Sequence, residues 1–218
     1  MAVPRDLTGA ARGWPLLIFP CNGNGVEALD CLGTAYRMLA FVDDTREKQR
    51  ADMCGHAVLS RSALIEWPDA AVLAVPGSPT SYLTRRQTIQ GLDLSPRRFA
   101  RVIHPTARIS PLATIGHNTL IMAGVVITSN AVIGDHVCVL PNTVIHHDVV
   151  IGDWSLVGAN VTLAGGVVLG ENCYVGSGTS VMNGLNIGAG ALVGLGSNLI
   201  RDVAANHTVA GNPARVLR

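Results

Sequence analysis

The chain has 218 residues, enough for one large or two small domains with a real hydrophobic core, which excludes a disordered polypeptide. Charged residues make up only 14% and the formal net charge is +1 without a long basic run, so neither nucleic acid nor an anionic membrane surface is an expected partner. Mean hydropathy is +0.34, yet no stretch approaches the ~18 consecutive apolar residues of a membrane span, so the apolar side chains must be buried in some other way.

Near the N-terminus, the apolar run 14–20 passes straight into Cys21-Asn22-Gly23-Asn24-Gly25 with no small-residue cleavage site, so no signal peptide is read. The five cysteines, Cys21, Cys31, Cys54, Cys138 and Cys173, are odd in number and scattered without a Cys-x-x-Cys pair. That spacing speaks against a zinc ribbon and fits a reducing compartment, the cytoplasm. Residues 14–20, 38–42 and 70–75 read as strands, with a helix over 26–32 after the first. The result is a short β-α-β unit with a continuation.

Its first turn, Gly23-Asn24-Gly25-Val26-Glu27-Ala28, has the form G-x-G-x-x-A, and Asp43-Asp44 closes the second strand at the distance, about 20 residues on, where a dinucleotide site carries its acid. In such a site these features bring backbone N–H groups to the phosphates and a carboxylate to the ribose. Taken alone, the pattern also fits a structural turn.

Residues 1–100 hold 11 Lys/Arg and 10 Asp/Glu, whereas 101–218 hold 5 and 5, so two kinds of surface share one chain. From Ile103 to Leu199 an aliphatic residue recurs every six positions, 17 times without a break, and the next position is Gly eight times. A hexad cannot bury its own aliphatic side chain and must stack on its neighbours. The period therefore predicts a parallel solenoid with one inward column per face, and glycines where the backbone turns tightly. Outward apolar residues, among them Val125, Val149 and Val167, are expected to need cover from another surface.

The hexads and the ending Val209-Ala210-Gly211-Asn212-Pro213-Ala214-Arg215 resemble the hexapeptide-repeat acyltransferases, whose left-handed parallel β-helix is triangular, with three hexads to a coil, so that every third hexad stacks. The resemblance covers residues 101–218. With the small domain before it, the chain is similar to the sialic acid O-acetyltransferase and UDP-amino-sugar N-acetyltransferase family. The implied fold is an α/β, Rossmann-like N-terminal domain over 1–100 that binds a nucleotide sugar, then a left-handed β-helix over 101–218 that carries out acetyl transfer. The first loop departs from the family form (Pro20-Cys21-Asn22-Gly23-Asn24-Gly25) and leaves the nucleotide, UDP or GDP, open. By this likeness Asn22, Gly23, Asn24, Gly25, Asp43, Asp44, Pro76 and Gly77 would hold the substrate. Acetyl-CoA, the co-substrate, would lie along Gly165, Gly166, Gly194, Pro213 and Arg215, in a groove between the β-helices of a homotrimer.

Charges are so scarce in the repeat that Ile145-His146-His147-Asp148 stands out: an imidazole and a carboxylate adjoin at a corner, pointing away from the core. Acyl transfer from a thioester needs a base for the proton of the attacking amine or hydroxyl, and an imidazole suits that work. His147-Asp148-Val149-Val150-Ile151-Gly152-Asp153 matches the family motif of His, acid, hydrophobic pair, Ile-Gly, acid. The likeness makes His147 the general base, Asp148 its orienter and the Gly165 amide the oxyanion donor. Stacking of every third hexad puts Ser129 and Gly165 beside His147, and Asn130 and Gly166 beside Asp148. Where bacillosamine-pathway relatives have a second His after the base, this chain has Leu156. No histidine pair has the His-x4-His spacing of γ-class carbonic anhydrases, so no metal is expected, and His104, His117 and His136 read as turn or surface residues. The activity implied is N-acetylation of a UDP- or GDP-linked amino-dideoxy sugar. O-acetylation of a sialic acid-type sugar and a non-catalytic nucleotide-sugar-binding trimer are the alternatives.

Overall fold

The computed structural model describes residues 13–49 and 52–217. The first apolar run forms β1 (Trp14–Phe19), whose last four side chains are buried. The helix after it starts earlier and is shorter than the sequence suggests: α1 spans Gly23–Glu27 and gives way to a 3₁₀ turn at Ala28–Cys31. Asn22 is the reason, because its Oδ1 accepts the Gly25 N–H at 2.8 Å and so fixes the helix start. The second run becomes β2 (Tyr36–Val42). An unanticipated hairpin follows, β3 (Asp52–Met53) and β4 (His56–Leu59), turning at Cys54-Gly55 with φ of 53° and 81°, the two positive values that a tight hairpin turn requires. With β5 (Ala71–Ala74) the sheet has the order β3-β4-β2-β1-β5, parallel except at the β3–β4 edge.

From Arg101 the chain winds into a left-handed parallel β-helix of three faces. Face one stacks Arg101–Ile103, Thr119–Ile121, Cys138–Val139, Leu156–Val157, Tyr174–Val175 and Leu192–Val193, and ends in Thr208–Gly211. Face two runs from Arg108–Ile109 to Asn198–Leu199, and face three from Thr114–Ile115 to Asn186–Ile187. Each strand pairs with the one three hexads on, as in Val126↔Val144 and Ile127↔Ile145. The last coil is shorter, Val193 pairing with Val209, and the hairpin Thr208–Gly211 with Ala214–Val216 closes the end.

Two of the expectations need correction. Each face has two inward columns, the aliphatic one and a second two positions before it, so Val125, Val149 and Val167 are fully buried in the core instead of outward. The exposed apolar column sits one position later, at Val132, Val150 and Val168 on face three. The glycines that follow the aliphatic residue do not make the turn either. The positive φ lies two positions further on, at residues such as Asn130, Asn142, Asp148 and Asn160, types that tolerate it. The repeated Gly is needed because coils meet there: a Cβ at Gly116 would lie 2.6 Å from the Asp135 nitrogen, and one at Gly152 2.6 Å from that of Glu171.

The N-terminal sheet covers face one. Leu120, Cys138 and Leu156, which point out of the β-helix, share one apolar cluster with Leu16, Ile18 and Cys31. At the edge of this junction Asn118 mimics a strand: its Oδ1 accepts the Ala74 N–H at 2.7 Å and its Nδ2 donates to the Ala74 carbonyl at 2.9 Å. Among the described residues no helix is long and apolar enough to cross a membrane.

Candidate active site

The corner between faces two and three begins as soon as Ile145 has turned inward. Asp148 takes the left-handed conformation there, φ +60°, which throws both it and His147 outward. His147 Nδ1 meets Asp148 Oδ2 at 2.7 Å, and Asn130, one coil below, donates to Asp148 Oδ1 at 3.0 Å. The hydrogen bonds from His147 and Asn130 hold the Asp148 carboxyl below its ordinary pKa. An ionised carboxylate at Nδ1 fixes that nitrogen as the N–H donor and leaves Nε2 as the free base. His146 belongs to the coil-to-coil ladder, its backbone N–H donating to the Leu163 carbonyl at 3.0 Å.

Gly165 lies on the next coil, directly against the imidazole: a Cβ there would sit 2.5 Å from both Cε1 and Nε2 of His147. Only glycine leaves the ring in place. At three positions of the same repeat place the backbone N–H is capped by a side chain of the next coil, His117 by Asp135 at 2.6 Å, Asp135 by Asp153 at 2.8 Å and Ala159 by Ser177 at 3.0 Å, whereas at others, Ser129 and Asp153 among them, it is not. Gly165 is one of the uncapped positions among the described residues, so its N–H is unpaired on the coil that meets the imidazole. The structure thus brings His147, Asp148 and Gly165 together, with Gly166 donating to the His147 carbonyl at 2.9 Å. Asn130 was placed by the three-hexad stacking, but its grip on Asp148 was not foreseen.

The N-terminal loops build a second feature. Asn22, Gly23 and Asn24 face Gly77, Ser78 and Pro79 across a cleft of about 360 Å³ whose floor is face one: Cys138, Leu140, Leu156 and Tyr174. Leu156 therefore belongs to this cleft and not to the His147 corner. Gly25 is buried behind it, since a Cβ there would meet the Pro20 carbonyl oxygen at 2.6 Å. Pro76 is engaged through its carbonyl by Arg85.

The two acids expected at a ribose are occupied elsewhere. Asp43 is 5% exposed and accepts from Cys21 N–H at 3.2 Å, Thr45 N–H at 3.0 Å and Lys48 Nζ at 2.7 Å. Burial alone would raise its carboxyl, but the hydrogen bonds from Lys48 and Thr45 outweigh it and hold the pKa below the ordinary value. Asp44 pairs with Arg61 at 2.5 Å. Asp43 shapes the first loop from behind and neither acid lines the cleft.

His136 is the turn residue expected, with φ +61°, but is half-buried. Its ring stacks on Trp154 with centroids 3.8 Å apart and meets the edge of Phe99 at 5.0 Å. Burial, then the charge of Arg85, push its pKa down to about 4. Of the residues assigned to acetyl-CoA, Gly194, Pro213 and Arg215 follow face one near the closing hairpin, so one chain does not bring them together with Gly165 and Gly166. Among the described residues no group of three His, Cys, Asp or Glu is placed to hold a metal.

The sequence matches the bacterial transferase hexapeptide family (six repeats) at residues 112–146 and 130–165. No curated protein matches the chain. Among solved structures, it is similar to the acetyltransferase domain of PglB from Neisseria gonorrhoeae in complex with acetyl coenzyme A, at 25% identity and TM-score 0.82, over 94% of this chain and 100% of that one. PerB from Caulobacter crescentus, in complex with CoA and GDP-perosamine, aligns at 26% identity and TM-score 0.83, over 94% and 98%. WeeI from Acinetobacter baumannii shares the fold at 24% identity and TM-score 0.79, over 94% and 99%.

Proposed function

We propose that this left-handed β-helix member of the hexapeptide-repeat acyltransferases moves the acetyl group of acetyl-CoA to the amino group of a UDP- or GDP-linked amino-dideoxy sugar. The observation that carries the reading is the corner of His147, Asp148 and Gly165, where an oriented imidazole with a free Nε2 lies directly against a glycine backbone whose N–H is unpaired. The likeness to structures holding acetyl coenzyme A, or CoA with GDP-perosamine, supports the two substrates.

In the reaction the neutral amine attacks the thioester carbonyl while Nε2 of His147 takes its proton. Asp148, ionised, steadies the imidazolium. The carbonyl oxygen gains the negative charge and receives the Gly165 N–H, a fixed donor that needs no reorganisation. Collapse of the tetrahedral intermediate breaks the carbon–sulfur bond, and the imidazolium proton accompanies the leaving thiolate.

The N-terminal sheet is read as the Rossmann-like holder of the nucleotide sugar, divided from the β-helix at about residue 100, with Asn22, Gly23, Asn24 and Gly77 at the ligand. The topology supports a second copy at the site. The cleft sits over face one, whereas His147 stands on the corner between faces two and three, the edge opposite face one in a triangular prism. A sugar held in the cleft reaches a base only on a neighbouring chain, so the active unit is an oligomer, taken as a homotrimer. The exposed column Val132, Val150 and Val168 lies on face three, which adjoins the His147 corner. Acetyl-CoA would run between copies, with Gly165 and Gly166 on one side and Gly194, Pro213 and Arg215 on the other.

The test is to incubate the purified protein with acetyl-CoA and a panel of UDP- and GDP-linked amino sugars beside free sialic acid, and to identify products by mass spectrometry. An acetamido sugar nucleotide is expected. Acetylation of the free sugar alone, or of nothing, rejects the reading.

A further inference from the structure

Arg85, at the start of the helix Arg85–Gln90, is the largest fully buried side chain among the described residues, 1% exposed. It has no carboxylate partner among them. Its Nη1 donates to the Pro76 carbonyl, its Nη2 donates to the His136 carbonyl at 2.7 Å, and its Nε is buried with no partner at all. Two carbonyl dipoles offset only part of the cost of burying a cation, and an uncompensated buried charge is among the most unfavourable things a fold can hold. Burial lowers its pKa to about 10, which leaves the guanidinium protonated at neutral pH.

What lies beyond it is the cleft. Gly77, which lines the cleft at φ +121°, separates the two: a Cβ on Gly77 would sit 3.7 Å from Arg85 Cδ and 3.9 Å from Nη1. Lys48 is neutralised by Asp43 and Arg61 by Asp44. Arg85 thus holds an unpaired charge next to the cleft, on its dry side, where the field is little screened.

We propose that Arg85 is a positioning residue that fastens the Pro76-Gly77-Ser78 loop to the β-helix corner at His136 and whose unpaired charge makes the cleft select a nucleoside diphosphate over the uncharged nucleoside. This rests on the nucleotide-sugar reading above and adds to it a source of the anion preference that does not touch the ligand.

The experiment is calorimetric titration of the full chain with UDP, GDP, uridine and guanosine, in the wild type and in Arg85→Gln and Arg85→Lys, two variants that each keep a donor but differ in charge. The ratio of diphosphate to nucleoside affinity is expected to fall about tenfold or more in Arg85→Gln, with nucleoside affinity little changed, and to be largely kept in Arg85→Lys. Equal loss of nucleoside and diphosphate in both variants overturns the proposal and leaves a purely structural residue. A second measurement needs no variant: a buried charge is screened less than a surface one, so the wild-type diphosphate preference should survive about 0.5 M salt. Collapse of that preference in salt overturns the proposal, because surface charges would then be its source. A wild type that binds none of the four ligands rejects the nucleotide-sugar reading itself, and this inference with it.

Discussion

His136 ties the two halves of the chain together in a way that acid should undo. Asn118 is locked by Ala74, its Oδ1 on the N–H and its Nδ2 on the carbonyl, so the same Nδ2 that reaches His136 Nδ1 at 2.9 Å must be a donor there. Nδ1 is consequently an acceptor, and a proton on it would face another N–H. Burial and Arg85 oppose the imidazolium further, with His117 in the same sense, and Asp135 alone favours it. The folded pKa is therefore lowered, from 6.5 to about 4. The unfolded chain binds a proton that the folded chain refuses, so stability is fully present above about pH 6.5 and is lost as pH falls toward 4. At about 1.4 kcal/mol per pKa unit the loss is capped near 3 kcal/mol, and at pH 5 it amounts to about 2 kcal/mol. For a chain of this size that corresponds to a fall in Tm of roughly 4–8 °C. Thermal melts at fixed protein concentration, between pH 7.5 and 5, compare the wild type with His136→Asn, a residue that tolerates the positive φ and does not titrate. The variant should start less stable, having lost the ring stack on Trp154, but should have a flatter pH dependence. Identical slopes in the two proteins would show that His136 does not carry the acid sensitivity.

Other expectations concern the corner and the assembly. His147→Ala should lower kcat by about 10² to 10⁴ while direct titration shows acetyl-CoA binding near wild type, and His146→Ala should be far milder. Gly165→Ala should be nearly as inactive as His147→Ala, because the new methyl takes the place of the imidazole; its Tm should barely move, since the displaced ring is 64% exposed. In Asp148→Asn the fold should survive and kcat should drop, and because the His147 and Asn130 hydrogen bonds hold the wild-type carboxylate ionised below the ordinary carboxylate range, the native pair should not lose its acid partner in the pH 5–8 window of an activity profile. Val150→Lys, on the exposed column of face three, should yield smaller species in sedimentation and loss of turnover with an unchanged far-UV spectrum; a wild type that already sediments as one chain would reject the assembly.

The parallel solenoid is legible in the hexads alone, because their signal is local and periodic: one aliphatic side chain in every hexad has no other way to be buried than by stacking. With the three hexads to a coil that the family resemblance implies, that period brings His147, Asp148, Asn130 and Gly165 together, since coil-to-coil register carries any residue to its neighbour. The hexad does not say which of two alternating positions faces inward: Val149 lies in the core and Val150 on the surface. The repeated glycines serve a close approach between coils, which leaves no mark in a sequence that distinguishes it from a turn. Nor could spacing foretell that Asp43 would be spent on Lys48 and the Cys21 loop, a contact that depends on where a side chain comes to rest after the sheet has formed. Which face the N-terminal sheet covers, hence the cleft over Leu156 and Tyr174, the stack of His136 on Trp154 and the buried Arg85, was decided by tertiary structure alone. Those contacts join residues tens of positions apart through shape and desolvation, and neither leaves a period in the chain.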